Sequence, residues 1–267
     1  MRFSWFNILF SLSLLFIFTC GGGSSEEKRE LNTNTTWYIQ LQGEIDISKN
    51  VNLYDIDLFD ASEEVIRKLK SQGKTVICYF NAGAYEPWRP DAGEFPDEVL
   101  GKQLEGWKEE RWLDIRNPEV RKIMLNRLVL AKKKGCDGVD PDNVDGYKND
   151  TGFNITYEDQ LEYNKYIAEQ AHSLGLLIGL KNDGEQVKDL VNFFDFSVQE
   201  ECHQYGECHY YYPFIEQGKP VFNIEYNNDY VYNRTERNKL CNQAKKEGFM
   251  TAIYNLELDG KLFLPCW

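Results

Sequence analysis

Short apolar runs alternate with amphipathic stretches along most of the chain. Eight runs rich in Val, Ile, Phe and Tyr predict β-strands at 37–41, 52–59, 75–81, 138–142, 176–181, 194–200, 221–225 and 251–255. Between most of these runs, apolar residues recur every three or four positions, which predicts helices. The predicted helices span 62–72, 118–134, 157–174, 184–193 and 234–247.

Glycines and a proline mark the boundaries of several predicted helices. Gly73, Gly135, Gly175 and Gly248 each follow a helix and are expected to cap its C-terminus. Pro118 suits a first helical turn. Because a strand follows each of these glycines within a few residues, the pattern predicts a parallel sheet with helical crossovers.

Eight strands in a chain of 267 residues predict a single α/β domain with the (β/α)₈ TIM barrel fold. An open, doubly wound sheet is the alternative. The sequence contains neither Gly-x-Gly-x-x-Gly nor a P-loop, which disfavours the nucleotide-binding form of that sheet. A long insertion at 84–116 carries several tryptophans, and loops of this length in a compact domain tend to be functional. Its end, 112–115, is predicted to form a small extra strand.

The N-terminus resembles an export signal. Arg2 precedes an apolar run at 3–18, which is too short to span a membrane comfortably, and small residues follow it. We assign residues 1–19 to a lipoprotein-type signal peptide, 20–35 to a flexible tether and 36–267 to the folded domain. Lipidation of Cys20 would attach the exported protein to a membrane. Ordinary secretion with an incidental cysteine is the alternative.

The formal net charge of −13 limits the classes of partner. It disfavours nucleic acid and anionic membrane surfaces, and it favours a cationic ligand. A simple contribution to solubility explains the charge equally well. No cofactor is expected, and we expect the domain to be a monomer.

Six cysteines follow Cys20, an even number that permits disulfides in an exported protein. Cys202 and Cys208 lie in one predicted loop and are expected to pair, and Cys241 could pair with Cys266 to tie the last helix to the C-terminus. Cys78 and Cys136 lie inside apolar runs and are expected to be buried free thiols. The chain has no Cys-x-x-Cys, so no metal site is expected.

Polar or ionisable residues end nearly every predicted strand. In a TIM barrel these ends meet at one mouth, where catalytic residues lie. The candidates for substrate contact are Gln40, Asp57, Tyr79, Asn81, Asp140, Asp145, Lys181, Asn182, Glu225 and Tyr226. Asp142 and Glu200 are the candidate catalytic pair, because sugar hydrolysis needs one protonated and one ionised carboxyl group.

These candidates have other interpretations. Asp142 and Glu200 could belong to a buried ion-pair network, and Lys181 could be only a salt-bridge partner of acidic neighbours. The acidic run at 140–145 resembles a set of oxygen ligands for Ca²⁺, but it lacks the rest of the EF-hand loop pattern. The tyrosines at 210–212 could stack on a sugar or pack against the barrel.

Seven segments occur in order along the predicted barrel. They are Trp37-Tyr38-Ile39-Gln40-Leu41-Gln42, Tyr54-Asp55-Ile56-Asp57, Cys78-Tyr79-Phe80-Asn81-Ala82-Gly83, Gly138-Val139-Asp140-Pro141-Asp142-Asn143, Gly179-Leu180-Lys181-Asn182, Glu200-Glu201-Cys202 and Asn223-Ile224-Glu225-Tyr226. Together, from Thr36 to about Asn255, they resemble the endo-α-1,4-polygalactosaminidases, glycoside hydrolase family 114, which are relatives of spherulin-4-like proteins.

The resemblance implies a (β/α)₈ fold, cleavage of α-1,4-linked galactosamine chains, and catalysis by Asp142 and Glu200. Asp140 and Glu201 remain alternatives for these two positions, and strand alternation lets only one of Glu200 and Glu201 face the mouth. A galactosamine polymer is cationic, which matches the acidic chain. Two other functions stay open: a lipoprotein that binds a cationic amino-sugar glycan without cleaving it, and a hydrolase of a different glycan.

Overall fold

The computed structural model describes residues 31–267. The predicted signal peptide, Cys20 and residues 20–30 of the predicted tether lie outside the described residues. Residues 31–35 form a turn in which the Thr35 amide donates to the Asn32 carbonyl at 2.9 Å, and Leu31 packs against the hydrophobic core. Between residues 31 and 267, no helix is both long enough and apolar enough to cross a membrane.

Eight parallel strands form a curved sheet. They are β1 (Trp37–Gln40), β2 (Leu53–Asp57), β3 (Thr75–Asn81), β7 (Gly138–Asp142), β8 (Leu177–Lys181), β9 (Phe196–Glu200), β10 (Val221–Glu225) and β11 (Met250–Ile253). Each strand pairs in parallel with the next in this order, and a short strand, β12 (Leu264–Pro265), pairs antiparallel with β11. The carboxyl ends of all eight strands therefore lie at one end of the sheet.

The connections between parallel strands carry the helices. These are α1 (Glu63–Ser71), α2 (Pro118–Lys134), α3 (Tyr157–Ser173), α4 (Val187–Leu190), α5 (Cys202–Tyr205), α6 (Tyr212–Glu216), α7 (Asn228–Tyr232) and α8 (Arg234–Glu247). The Asn117 side chain caps the start of α2, and Gly135 ends it with φ 92°, a left-handed conformation that glycine adopts without steric cost.

Side chains join the two ends of the parallel sheet. The Trp37 indole of β1 donates to the Met250 carbonyl of β11 at 2.7 Å, and the Ile39 amide donates to the Tyr254 hydroxyl at 3.2 Å. The strands and their helices thus form the predicted (β/α)₈ TIM barrel around a core of buried side chains.

The insertion after β3 forms a small antiparallel sheet of its own. Its strands are β4 (Ala84–Tyr85), β5 (Leu100–Leu104) and β6 (Trp107–Leu113), in the order β4-β6-β5. The strand predicted at 112–115 therefore begins earlier and ends at Leu113. The helix predicted at 184–193 is wrong in extent. Within that range, Gly184–Gln186 form a 3₁₀ turn and Val187–Leu190 form α4.

Three disulfides crosslink the barrel. The predicted pairs Cys202–Cys208 and Cys241–Cys266 are both formed. The prediction that Cys78 and Cys136 are free thiols is wrong, because these residues form the third bond. Cys78 lies in β3 and Cys136 follows α2, so the bond ties a barrel strand to the turn that leads into the neighbouring strand β7.

Removing the Cys78–Cys136 bond is expected to destabilise the fold more than removing Cys202–Cys208. The sequence separations are 58 and 6 residues, and the chain-entropy model gives about 4 and about 2 kcal/mol for loops of these lengths. Urea unfolding of the two Cys→Ala double variants measures the difference. Equal losses, or a larger loss for the short loop, would contradict this expectation.

Candidate active site

A cavity of about 430 Å³ opens at the carboxyl ends of the parallel strands. Eight of the residues predicted from the strand ends line it. They are Asp57, Tyr79, Asp142, Asp145, Lys181, Asn182, Glu200 and Tyr226. The mouth of the barrel therefore carries a concave, strongly polar surface, which is where enzymes of this fold have their active sites.

Asp142, the last residue of β7, is held by donors on several sides. The Tyr79 hydroxyl donates to Oδ2 at 2.8 Å, and the Asn143 amide donates to Oδ1 at 2.8 Å. The Lys181 Nζ lies 3.7 Å from Oδ1. Asp142 thus accepts two hydrogen bonds and lies beside one cation.

Glu200, the last residue of β9, faces the same space. The Tyr226 hydroxyl donates to Oε1 at 2.5 Å, and the Asn182 side-chain amide donates to Oε2 at 3.1 Å. Burial, and then the neighbouring Glu200 charge, raise the pKa of Tyr226 well above its usual value, so this hydroxyl keeps its proton and remains a donor. The Lys181 Nζ lies 3.9 Å from Glu200 Oε2.

Lys181 is the centre of the polar site. Its side chain is 2% exposed, and its Nζ lies 3.6 Å from Asp140 Oδ2 in addition to the contacts with Asp142 and Glu200. Burial alone would lower the pKa of Lys181, but Asp140, Asp142 and Glu200 together raise it above its usual value. Lys181 is therefore a salt-bridge partner of its acidic neighbours, and it also lines the cavity. It supplies the positive charge among the carboxyls of the acidic run at 140–145.

Asp140 lies below the cavity. It is fully buried, and burial raises its pKa to about 6 although Lys181 opposes the shift. Asp55 of β2 is its buried neighbour, and burial followed by the Asp140 charge raises the pKa of Asp55 well above its usual range. Asp142 lines the cavity, whereas Asp140 has no exposed surface and is not among the lining residues.

Left-handed residues end three consecutive barrel strands. Asn143, Asn182 and Glu201 have φ of 58°, 50° and 57°, a conformation in which the chain turns sharply and which costs energy for residues other than glycine. The turn leaves the preceding side chain in the mouth and leads the backbone away. Glu201 therefore starts α5 outside the cavity lining while Glu200 lines it.

Four predicted contact residues do not line the cavity, because their side chains are engaged elsewhere. Gln40 holds the loop after β1, donating to the carbonyls of Gln42 and Glu44 at 2.9 Å. Asn81 binds the insertion, accepting from the Ala84 amide. The other two are Asp140, described above, and Glu225, which is fully buried and accepts from His203 Nδ1 at 3.1 Å.

The insertion contributes cavity residues that the strand pattern did not predict. Glu86, Arg89 and Glu110 line the wall beside Asp57. Arg89 donates to Asp57 through two nitrogens, at 3.0 and 2.7 Å, and to Glu86 at 2.8 Å. One guanidinium thus neutralises part of this wall. The sequence gives little sign of Glu110, which lies within a run of four charged residues in β6 and shares a strand face with the buried Trp112 two positions on.

Aromatic side chains border the cavity. Trp88 and Trp107 of the insertion line it and are 52% and 47% exposed. Such rings offer flat apolar faces to a sugar ring. The tyrosines at 210–212 lie elsewhere: Tyr211 is buried, and the Tyr212 hydroxyl donates to Glu247 of α8.

The described residues contain one group of potential metal ligands, Cys202, His203 and Cys208. Its two sulfur atoms are joined in a disulfide, which leaves no thiolate for a metal ion. His203 is occupied by two carboxylates, Glu225 at 3.1 Å and Glu247 at 2.8 Å, which raise its pKa against the opposing effect of burial. This cluster fixes the turn after Glu200 to β10 and α8.

The chain is similar to known proteins along most of its length. The model of glycoside-hydrolase family GH114 matches residues 23–266. Ega3 of Aspergillus fumigatus, in a crystal structure with galactosamine, is 43% identical to this chain, with a TM-score of 0.83 over 89% of this chain and 98% of Ega3. A search of curated proteins gives no match.

Two more distant structures share the fold. The glycoside hydrolase domain of PelA from Pseudomonas aeruginosa is 15% identical, with a TM-score of 0.68 over 86% of this chain and 97% of that domain. An α-galactosidase from Thermus thermophilus is 13% identical, with a TM-score of 0.55 over 84% of this chain and 58% of that enzyme. The family model and the Ega3 match both extend over most of the chain, and they confirm the resemblance of the seven segments. The chain belongs to glycoside-hydrolase family GH114 and is a glycoside hydrolase.

Proposed function

We propose that this glycoside hydrolase cleaves α-1,4-galactosaminidic bonds within a galactosamine-containing polysaccharide. The observation that carries the proposal is the pair Asp142 and Glu200, two cavity-lining carboxyls held on either side of one buried ammonium, that of Lys181. Most glycoside hydrolases use two carboxyl groups that face the sugar in this way.

Asp142 is the nucleophile or charge stabiliser in this proposal, and Glu200 is the general acid and base. Asp142 lies nearer the ammonium and accepts a backbone hydrogen bond, so its short side chain is held rigidly. Glu200 has the longer side chain and the more exposed one, 29% against 19%. It can therefore reach the glycosidic oxygen and later a water molecule.

The acidity of the cavity supports an amino-sugar substrate. Asp57, Asp60, Glu86, Glu110, Asp142, Asp145, Glu200 and Glu257 line it, against the cations Arg89 and Lys181. This excess of carboxyls attracts a polycation and repels a polyanion. The galactosamine in the Ega3 crystal structure is a monomer unit of such a polycation.

We further propose that the protein is exported and that it acts as a monomer attached to a membrane through lipidated Cys20. The three disulfides support export, because such bonds persist in oxidising compartments. Palmitate labelling of the wild type and of a Cys20→Ser variant tests the anchor. Equal labelling of the two would rule it out.

Incubation with partially deacetylated α-1,4-galactosamine polymer tests the activity. The purified protein is expected to release oligosaccharides, detected by mass spectrometry, and its kcat/KM is expected to fall as salt rises from about 50 to about 500 mM, since screening weakens attraction of the polycation. Binding of the polymer without release would indicate a glycan-binding role. Release from a neutral glycan in preference to this polymer would indicate a different substrate.

A further inference from the structure

Glu110 occupies an unusual position in the cavity wall. It lies on β6 of the insertion, it is 8% exposed, and it lines the cavity. The Asn81 side-chain amide donates to its Oε2 at 3.1 Å. Its neighbour Glu109 is exposed on the other face of the same strand. The insertion thus turns one carboxyl inward toward the site and one outward to solvent.

Within residues 31–267, the Glu110 carboxyl forms no ion pair within 4 Å, unlike the buried carboxyls of Asp57 and Glu86 beside it. Asp57 and Glu86 share the guanidinium of Arg89, at 2.7 and 2.8 Å, and the catalytic pair shares Lys181. A buried carboxylate without a counter-charge is costly. A cation supplied by the ligand would remove that cost.

The electrostatic surroundings of Glu110 agree with this. Burial, and then the charges of Glu86 and Asp142, raise its pKa to about 7, while Arg89 and the Asn81 amide act in the opposite direction. Close to neutral pH, the Glu110 carboxyl can therefore lose its proton and bind another cation instead. Arg89 cannot provide full compensation because it is bound to Asp57 and Glu86.

We propose that Glu110 is a specificity-determining residue that binds the ammonium group of a galactosamine unit and so distinguishes it from N-acetylgalactosamine. The inference rests on the proposed function and names the carboxyl group that recognises the amine of the substrate. Trp88 and Trp107 line the same cavity and offer faces for the sugar ring. An ammonium pairs with the buried carboxylate, whereas a neutral acetamide is bulkier and leaves it without a counter-charge.

The pattern of cleavage on partially deacetylated polymer tests this proposal. Mass-spectrometric sequencing of the products of the wild type is expected to find a free amine at one fixed position from the cut. In the Glu110→Gln variant, which keeps an acceptor for Asn81, that preference is expected to fall by about 10- to 100-fold, the range of a charge-assisted hydrogen bond. Glu109→Gln is the matched control and should keep the wild-type pattern.

Binding of the monosaccharides separates this proposal from the proposed hydrolysis. By calorimetry, the wild type is expected to bind galactosamine more tightly than N-acetylgalactosamine and to release a proton on binding near pH 6.5, because Glu110 must ionise. Glu110→Gln is expected to lose both properties. If no polymer is cleaved but these differences appear, the ammonium site stands and the hydrolysis proposal fails.

Two results would overturn the inference. One is a Glu110→Gln variant that keeps both the wild-type cleavage pattern and the preference for galactosamine. The other is a variant that loses turnover equally at acetylated and deacetylated positions with unchanged monosaccharide binding, which would assign Glu110 a purely structural role in the insertion. Circular dichroism of Glu110→Gln checks that this variant is folded. The activity of Glu109→Gln checks that a neighbouring substitution in β6 leaves the strand intact.

Discussion

Replacing Asp142 by Asn is expected to lower kcat on galactosamine polymer by about 10⁴-fold or more. Asn has the size of Asp but supplies no negative charge to a developing oxocarbenium ion and no nucleophilic oxygen. Replacing Glu200 by Gln is expected to cost about 10²- to 10⁴-fold, the range for a general acid and base. Polymer binding is expected to survive in both variants, since each removes one carboxylate from a cavity that holds several.

Neighbouring carboxyls provide the controls. Glu201 is adjacent to Glu200 in sequence but lies outside the cavity lining, so Glu201→Gln is expected to change kcat by less than about threefold. Rates come from oligosaccharide release under saturating polymer. A Glu201→Gln variant as slow as Glu200→Gln, or an Asp142→Asn variant that keeps a tenth of wild-type turnover, would refute the assignment of the pair.

The barrel and most of its mouth could be predicted because both follow from local patterns. Apolar runs of strand length, helices ended by glycine, and the alternation of the two are visible without tertiary information. Asp142 and Glu200 end their strands, and parallel strands necessarily bring their ends together. The order of elements along the chain was therefore sufficient to place these two carboxyls in the same mouth.

The predictions fail where the environment of a side chain depends on tertiary packing rather than on local sequence. Barrel strands are buried on both faces, so the sequence does not show whether a polar residue such as Glu225 faces the helices or the mouth. The side chain that binds Glu225, His203, lies in another element. Cys78 looked like a core residue because its partner Cys136 is 58 positions away. Glu110 belongs to an insertion whose fold is independent of the barrel repeat.

Replacing Lys181 by Met is expected to lower the free energy of unfolding by about 3–5 kcal/mol near pH 7.5, because buried carboxyls lose their shared cation. The Nζ lies within 4 Å of Asp140, Asp142 and Glu200, and Asp140 has no exposed surface. Urea unfolding measures the loss. Lys102→Met is the control, since Lys102 pairs with Asp150 at an exposed position, and its effect is expected to stay within about 0.5 kcal/mol.

The pH dependence of this loss identifies its cause. The pKa of Asp140 is about 6 in the folded protein and about 3.9 in an unfolded chain, so the folded state binds the proton more tightly. Asp140 therefore costs stability above about pH 6, and the cost disappears as the pH falls toward 4. Lys181 limits this cost by lowering the pKa of Asp140, and its removal enlarges the cost at neutral pH. The deficit of Lys181→Met is thus expected to be largest at pH 7.5 and clearly smaller at pH 5. A deficit equal at both pH values would indicate that Lys181 stabilises the barrel by packing rather than by charge.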